Sequence, residues 1–312
     1  MTAVTADRSS PGPKDAPGLL KRLSDRLPVK LTLIAVMVLW LVPAVGLLIS
    51  SFRTKAIVES EGWWTFFSKP FEFAQWTFDS YSTVLSARGF GNAFWNSLAV
   101  SIPSTVIPIT VAAFAAYAFS WMDFKGRHIV FVIVVGLLVV PLQMTLIPLL
   151  RLYTSGEFFG IATPFPHPLN GTYMAVWLAH TGFGLPLAVY LLRNYIGSLP
   201  ASIIESARID GATHFQIFIR LIVPLSVPAL ASFAIFQFLW VWNDLLVALV
   251  FLGGTPDVQV LTQALAELRG QFGQFEHLLP AAAFITMALP LTVFFSLQRY
   301  FVRGLTAGSV KG

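Results

Sequence analysis

The sequence predicts an all-α membrane protein with six transmembrane helices and both termini in the cytoplasm, and three observations carry that prediction. The first is composition: of 312 residues, 56% are hydrophobic and only 11% charged, against about 25% charged in soluble domains. The second is a set of six apolar runs, at 29–49, 94–120, 129–152, 172–195, 225–252 and 280–302, each near the ~20 residues a spanning helix needs. The third is the placement of positive charge. An even number of spans puts both termini on one side, and that side collects 14 of the 20 lysines and arginines: the N-terminal tail with Lys30, then Lys125 and Arg127, then Arg193, Arg208 and Arg220, then Arg299, Arg303 and Lys311. The excess marks the cytoplasmic face. It also explains the net charge of +5 without nucleic-acid binding. The absence of cysteine excludes disulfides, thiolate metal sites and cysteine nucleophiles.

Taken in order, residues 1–28 are rich in Pro, Gly, Ser and charge and read as a disordered cytoplasmic tail. The run that follows is too long for the ~7–15-residue core of a signal peptide, so 29–51 is the first transmembrane helix. The external loop 52–92 is aromatic, with Trp63, Trp64, Phe66, Phe67, Phe71, Phe73 and Trp76. An interfacial helix lying on the membrane is the favoured reading; a contact surface for a soluble binding protein is the other.

Residues 93–312 form the core with the other five spans. The second span places Ser97, Ser101, Ser104 and Thr105 near one face, interrupted by Pro103 and Pro108. Small hydroxyl residues at that spacing mark helix packing more often than a polar pathway. The third span contains Pro141, Gln143, Thr145 and Pro148, and the fourth His180, Gly182, Gly184 and Pro186, a point of expected distortion. His180 is read as a packed, hydrogen-bonded residue rather than a ligand.

Between the fourth and fifth spans, 197–224 cannot lie in a membrane, because it carries Glu205, Arg208, Asp210, His214 and Arg220. Its residues spell two short helices. Pro200 suits a first turn, and Ile203, Ile204 and Ala207 share a face. Gly211 supplies a left-handed stop. Thr213 with Gln216 is a capping box, Phe215, Ile219 and Ile222 give an apolar stripe, and Pro224 keeps the helix from continuing straight.

In the fifth span Gln237, Trp240 and Asp244 stand at i, i+3 and i+7, with Asn243 beside them, predicting one helical face. An intramembrane carboxylate defaults to a paired or functional role. Trp beside amide and carboxylate groups suits a sugar, flat face on ring and polar groups on hydroxyls. Packing near the outer surface accounts for the cluster equally well. The last loop, 253–279, is rich in Gly and Gln and reads as facing a binding protein.

The hairpin residues Glu205, Ser206, Ala207, Asp210, Gly211 and Ala212 with the Ile222-Val223-Pro224 ending resemble the EAA loop of permease subunits of binding-protein-dependent ABC importers. Ser206 and Val223 depart from the usual Ala and Leu. The segments RGFGNAFWNSL, WVWNDLLVALVFL and QRYFVRGLTAGSVKG are similar, in the same order, to the MalG-type carbohydrate permeases with a MetI-like transmembrane domain. The resemblance implies a type I importer permease fold in a bacterial inner membrane, and a role as half of a heterodimeric translocation pathway. The implied partners are a second permease, two ATPase subunits and an extracytoplasmic solute-binding protein. It also implies ATPase coupling through Glu205, Ser206, Ala207, Asp210, Gly211, Ala212 and Pro224, and a substrate pathway near Gln237, Trp240, Asn243 and Asp244. The stretch SSFR…ESEGWW is similar to alpha-glucoside-type importers, which implies a di- or oligosaccharide.

The chain contains no G-x-x-x-x-G-K-[ST] loop, so ATP and Mg are expected on the partner and no cofactor on this chain. No H-E-x-x-H or nucleophile cluster argues for an enzyme. The alternative reading, an ion-gradient-driven secondary transporter of a polar solute, would concentrate ionisable residues at mid-membrane and repeat its halves. Asp244 stands nearly alone, and no repeat is evident.

Overall fold

The computed structural model describes residues 19–87, 89–158, 160–162, 168–270 and 275–307. Fourteen helices follow one another: α1 (Leu19–Ser51), α2 (Lys55–Ser60), α3 (Asp79–Ala87), α4 (Phe90–Trp121), α5 (Arg127–Gly136), α6 (Leu142–Ser155), α7 (Tyr173–Gly197), α8 (Ala201–Ile209), α9 (His214–Ile217), α10 (Val223–Leu225), α11 (Val227–Trp242), α12 (Leu246–Phe251), α13 (Leu261–Leu268) and α14 (Leu279–Ala307). A two-residue strand pair, Glu157–Phe158 with Ile161–Ala162, is the only sheet among the described residues.

Four helical stretches are long and apolar enough to cross a membrane: Leu27–Ser51, Phe90–Trp121, Tyr173–Gly197 and Glu276–Gln298. Two further candidates are bent pairs, Arg127–Val139 with Leu142–Ser155 at 103° and His214–Leu225 with Val227–Trp242 at 72°. Six crossings therefore require counting each bent pair as one span.

Several expectations need correction. The helix of the first span begins at Leu19, so residues 19–28, expected in a disordered tail, are helical; residues 1–18 lie outside the described residues. The loop 52–92 contains no single interfacial helix but α2, α3 and 3-10 turns at Trp63–Ser68 and Phe73–Gln75. The third apolar run is not one rod. Val140 is held extended before Pro141, with ψ of 117°, because the proline ring disfavours a helical residue ahead of it. The fourth run is a continuous helix through Gly182, Gly184 and Pro186.

The fifth run departs most. Its helix ends at Trp242, giving α11 a length of ~24 Å at 1.5 Å per residue, short of a ~30 Å hydrocarbon core. Asn243 and Asp244 end it because their side chains compete for backbone groups. The Asn243 Nδ2 donates to the Leu239 carbonyl at 2.7 Å, and the Asp244 Oδ2 accepts from the Val247 and Ala248 amides at 2.8 and 3.3 Å, capping α12.

The α4–α7 pair is the spine of the core. Ala112, Ala113 and Ala116 on α4 meet Ala188, Val189 and Leu192 on α7, small side chains that let backbones approach closely in lipid. The hydroxyl face of α4 is buried as packing surface: Ser97, Ser101, Ser104 and Thr105 are all inaccessible, and Ser97 Oγ accepts from the Leu261 amide at 2.8 Å. Trp242 anchors α11 to α14. It is fully buried, its Nε1 donates to the Thr286 carbonyl at 3.0 Å, and it stacks on Phe238 with ring centroids 5.6 Å apart.

Candidate coupling and pathway sites

The hairpin α8–α9 is built from local signals. Pro200 occupies the N-cap of α8, one residue ahead of the first-turn position expected. At the other end Gly211 has φ of +79°, its amide donates to the Arg208 carbonyl at 3.0 Å, and the Ala212 amide donates to the Ala207 carbonyl at 3.0 Å. These paired bonds, five-to-two and six-to-one, define a Schellman ending with Gly211 at its left-handed position. Thr213 then opens α9. Its Oγ1 accepts from the Gln216 amide at 3.3 Å, and the Gln216 Oε1 accepts from the Thr213 amide at 2.8 Å, the reciprocal box the sequence predicts.

The hairpin is fastened to the end of the α4–α7 spine. Arg208 Nη2 donates to the Trp121 carbonyl at 2.8 Å, and Trp121 Nε1 donates to the Ile196 carbonyl at 3.1 Å. Tyr117 Oη lies 2.9 Å from His214 Nδ1. Phe218 stacks on Phe114 at 4.5 Å, and Ile204, Ile217 and Ile222 are buried in the same cluster.

The apolar stripe is therefore not the one expected. Ile217, Phe218 and Ile222 face inward, while Phe215 and Ile219 are exposed. Phe218–Ile222 forms a π-turn, which rotates the following residues relative to a 3.6-residue helix. The same turn carries the chain through Pro224 without a break; the bend comes at Ser226, ahead of Pro228, whose ring cannot continue the preceding helix.

The outward face of the hairpin shows Glu205, Ser206 and Asp210, flanked by Ile209 at 85% and Phe215 at 65% exposure. A cavity of about 390 Å³ beside it is lined by Ala207, Asp210, Gly211, Ala212, Gln216 and Arg220, among others. Neither Glu205 nor Asp210 has an ion-pair partner among the described residues. Pro224 is exposed further along the chain.

The four expected pathway residues do not share a face. Gln237 is fully buried, and its Nε2 donates to the Ser104 carbonyl at 3.2 Å and the His180 carbonyl at 3.4 Å. It ties α11 to both spine helices. Gly184 makes this possible: a Cβ there would stand 2.6 Å from Gln237 Oε1. Trp240 lines an apolar cavity of about 500 Å³ between the bent α5–α6 pair and α7, with Leu138, Thr145, Gly182 and Phe183, and meets the His180 ring edge-on at 5.9 Å. Asn243 is exposed at the end of α11. Asp244 lies beyond the helix, its Oδ2 3.8 Å from His180 Nε2. The buried His180 thus links α7 to the α11–α12 turn. Sequence reasoning missed Trp242 and the Gly184–Gln237 contact; the i, i+2 tryptophans were visible, but which one points inward depends on the partner helices.

Comparison with known proteins agrees with this architecture. A family described as binding-protein-dependent transport system inner membrane component matches residues 108–307, a span that takes in the hairpin and the α11–α12 turn. The chain is 56% identical over 286 residues to the osmoprotective compounds uptake permease protein GgtD of Synechocystis sp., covering 92% of each. It is 63% identical over 239 residues to the alpha-glucoside transport system permease protein AglG of Rhizobium meliloti, covering 76% of this chain and 61% of that relative. It is 35% identical over 239 residues to the trehalose transport system permease protein SugB of Mycobacterium tuberculosis, covering 76% of this chain and 82% of that relative. The fold is also that of a bacterial ABC transporter chain involved in the import of the acidic polysaccharide alginate, with a TM-score of 0.68 at 19% identity over 92% of this chain and 100% of that one. Its helical spans, docked hairpin and relatives place this chain in the family of binding-protein-dependent transport system inner membrane components.

Proposed function

We propose that the chain is one permease subunit of an ATP-driven importer for an α-glucoside-type di- or oligosaccharide in a bacterial inner membrane. In this reading it pairs with a second permease, receives sugar from an extracytoplasmic binding protein, and hydrolyses nothing itself. ATP and Mg belong to two partner ATPases. The observation that carries the reading is the hairpin α8–α9: charged and apolar outward groups on a unit fixed to the spine by Arg208 and Tyr117. Such a unit transmits force because it moves with α4 and α7 as one body. Glu205 and Asp210 supply polar contacts to the ATPase, Ile209 and Phe215 fill an apolar recess, and Gly211 with Ala207 and Ala212 permit close approach. Names of the relatives, for alpha-glucosides and trehalose, support the substrate class. The hairpin's side of the membrane is then cytoplasmic, with both termini.

Trp240 at the apolar cavity and Asn243 at the helix end are the pathway residues most accessible to a sugar. Gln237 and Asp244 position them, the first by joining three helices and the second by fixing the turn after Trp242. The test is uptake of maltose, sucrose and trehalose by membrane vesicles carrying the complete importer. Uptake is expected to need ATP inside the vesicle, to survive a proton uncoupler, and to vanish in Glu205→Ala together with ATPase co-purification. Uptake abolished by the uncoupler and indifferent to ATP would replace this reading with an ion-driven carrier.

A further inference from the structure

The α4 helix has two ends, and the hairpin occupies one of them. With 32 residues it runs ~48 Å at 1.5 Å per residue, enough to cross a bilayer, so features at its start lie on the opposite side from the hairpin. There a cleft of about 410 Å³ opens between the start of α4, the 253–260 loop and α13. Its volume falls in the roughly 300–1,000 Å³ range of small-ligand sites.

Its chemistry is uniform in one respect: hydrogen-bond acceptors and amides line it, and no lysine or arginine does. Asn92, Asp257, Gln259 and Glu267 supply two amides and two carboxylates, and Leu268 and Phe275 supply an apolar wall. Gln259 is only 9% exposed, yet its side-chain amide meets no hydrogen-bond partner among the described residues. An amide so enclosed is costly unless something bonds to it, and it lines this cleft.

The loop bearing these groups is rigid. The Asn96 Nδ2 donates to the carbonyls of both Asp257 and Gln259 at 2.9 Å, and Tyr173 Oη donates to Asn96 Oδ1 at 2.7 Å. Gln263 Oε1 accepts from the Val260 amide at 3.1 Å. Groups held this way are positioned before any ligand arrives, which lowers the ordering cost of binding. An anion is disfavoured by the two carboxylates. A divalent ion is disfavoured because the described residues bring no three metal-ligating side chains together. What fits is a neutral molecule rich in hydroxyl donors with one flat apolar face.

We propose that this cleft is an outer carbohydrate site, in which a sugar ring rests on Leu268 and Phe275 and its hydroxyls donate to Asp257 and Glu267 and exchange hydrogen bonds with Asn92 and Gln259. The proposal rests on the importer reading above and adds a place where sugar pauses before the membrane path.

The test uses the assembled transporter in nanodiscs without binding protein, and saturation-transfer NMR with maltose, sucrose and trehalose as probes. Wild type is expected to transfer saturation to ring protons of at least one of these. Gln259→Ala, and separately the isosteric pair Asp257→Asn with Glu267→Gln, are expected to raise its half-saturation about tenfold, the effect of one lost hydrogen bond near 1.4 kcal/mol. Two outcomes overturn the proposal: a wild type that imports the sugar in vesicles but gives no transfer, or variants with unchanged half-saturation. Variants that weaken only the docking of the loaded binding protein also overturn it, by making the cleft a protein contact. If wild-type vesicles import none of the three sugars, the importer reading itself fails, and that is seen before any variant is made.

Discussion

Replacing Gly184 with alanine adds one methyl group to a place that has no room for it. The new Cβ would stand 2.6 Å from Gln237 Oε1, 2.7 Å from Nε2 and 2.9 Å from Cδ. The Gln237 side chain is fully buried and cannot swing into an open space. Either α7 moves away from α11, or the amide leaves the Ser104 and His180 carbonyls. Overpacking of this kind costs ~1–3 kcal/mol, and each lost amide bond adds ~0.5–1.5 kcal/mol. The expected destabilisation is about 2–4 kcal/mol, a shift of roughly 30- to 1,000-fold in the unfolding equilibrium. Reversible unfolding in mixed micelles with increasing SDS measures it. A second variant makes the argument specific: Gly184→Ala combined with Gln237→Ala removes the clashing group, so the double variant should be more stable than the sum of the singles predicts, with a coupling of ~1–2 kcal/mol. Strict additivity would refute the account, since it would mean that the methyl group and the amide never meet.

Further outcomes follow from the same geometry. Gly211→Ala forces a side chain into φ of +79° at ~1–2 kcal/mol; membrane levels should stay near wild type while vesicle uptake falls severalfold, and unchanged uptake would show that the hairpin tolerates a different turn. Arg208→Gln loses the bond to the Trp121 carbonyl, so cross-linking between the hairpin and α4 should weaken without loss of spine stability. Asp244→Asn keeps an acceptor for the Val247 and Ala248 amides, whereas Asp244→Ala loses it; the Ala variant should be ~1 kcal/mol less stable and the Asn variant nearly unchanged, in the same SDS titration. Arg53, 3% exposed and bonded to Gly62, Thr65 and Gln75, organises the segment after α1; Arg53→Met should make 55–75 several-fold more sensitive to limited proteolysis.

The parts of the fold written in short range were legible. Helix-stop, capping-box and proline signals act within four or five residues, so Gly211, Thr213–Gln216 and Pro141 could be assigned without any partner. The hairpin's solubility in water rather than lipid followed from Glu205, Arg208 and Asp210. What failed were inferences that extended one period across a break. Phe215 and Ile219 were assigned inward because 3.6-residue spacing was carried through a π-turn, and Asp244 was assigned to the face of Gln237 because an apolar run was taken for one helix.

Composition and local spacing therefore settled the solvent, the helical class and the two-helix hairpin, because each follows from transfer free energy or from backbone groups a few bonds apart. The tertiary structure decided which side chains meet. Gln237 became a buried tie between α4, α7 and α11 because Gly184 lets two helices approach, and Trp242 rather than Trp240 turned inward because α14 offers the Thr286 carbonyl. Those choices depend on surfaces 40 to 130 positions away in the chain, and distance of that kind is not encoded in any local period.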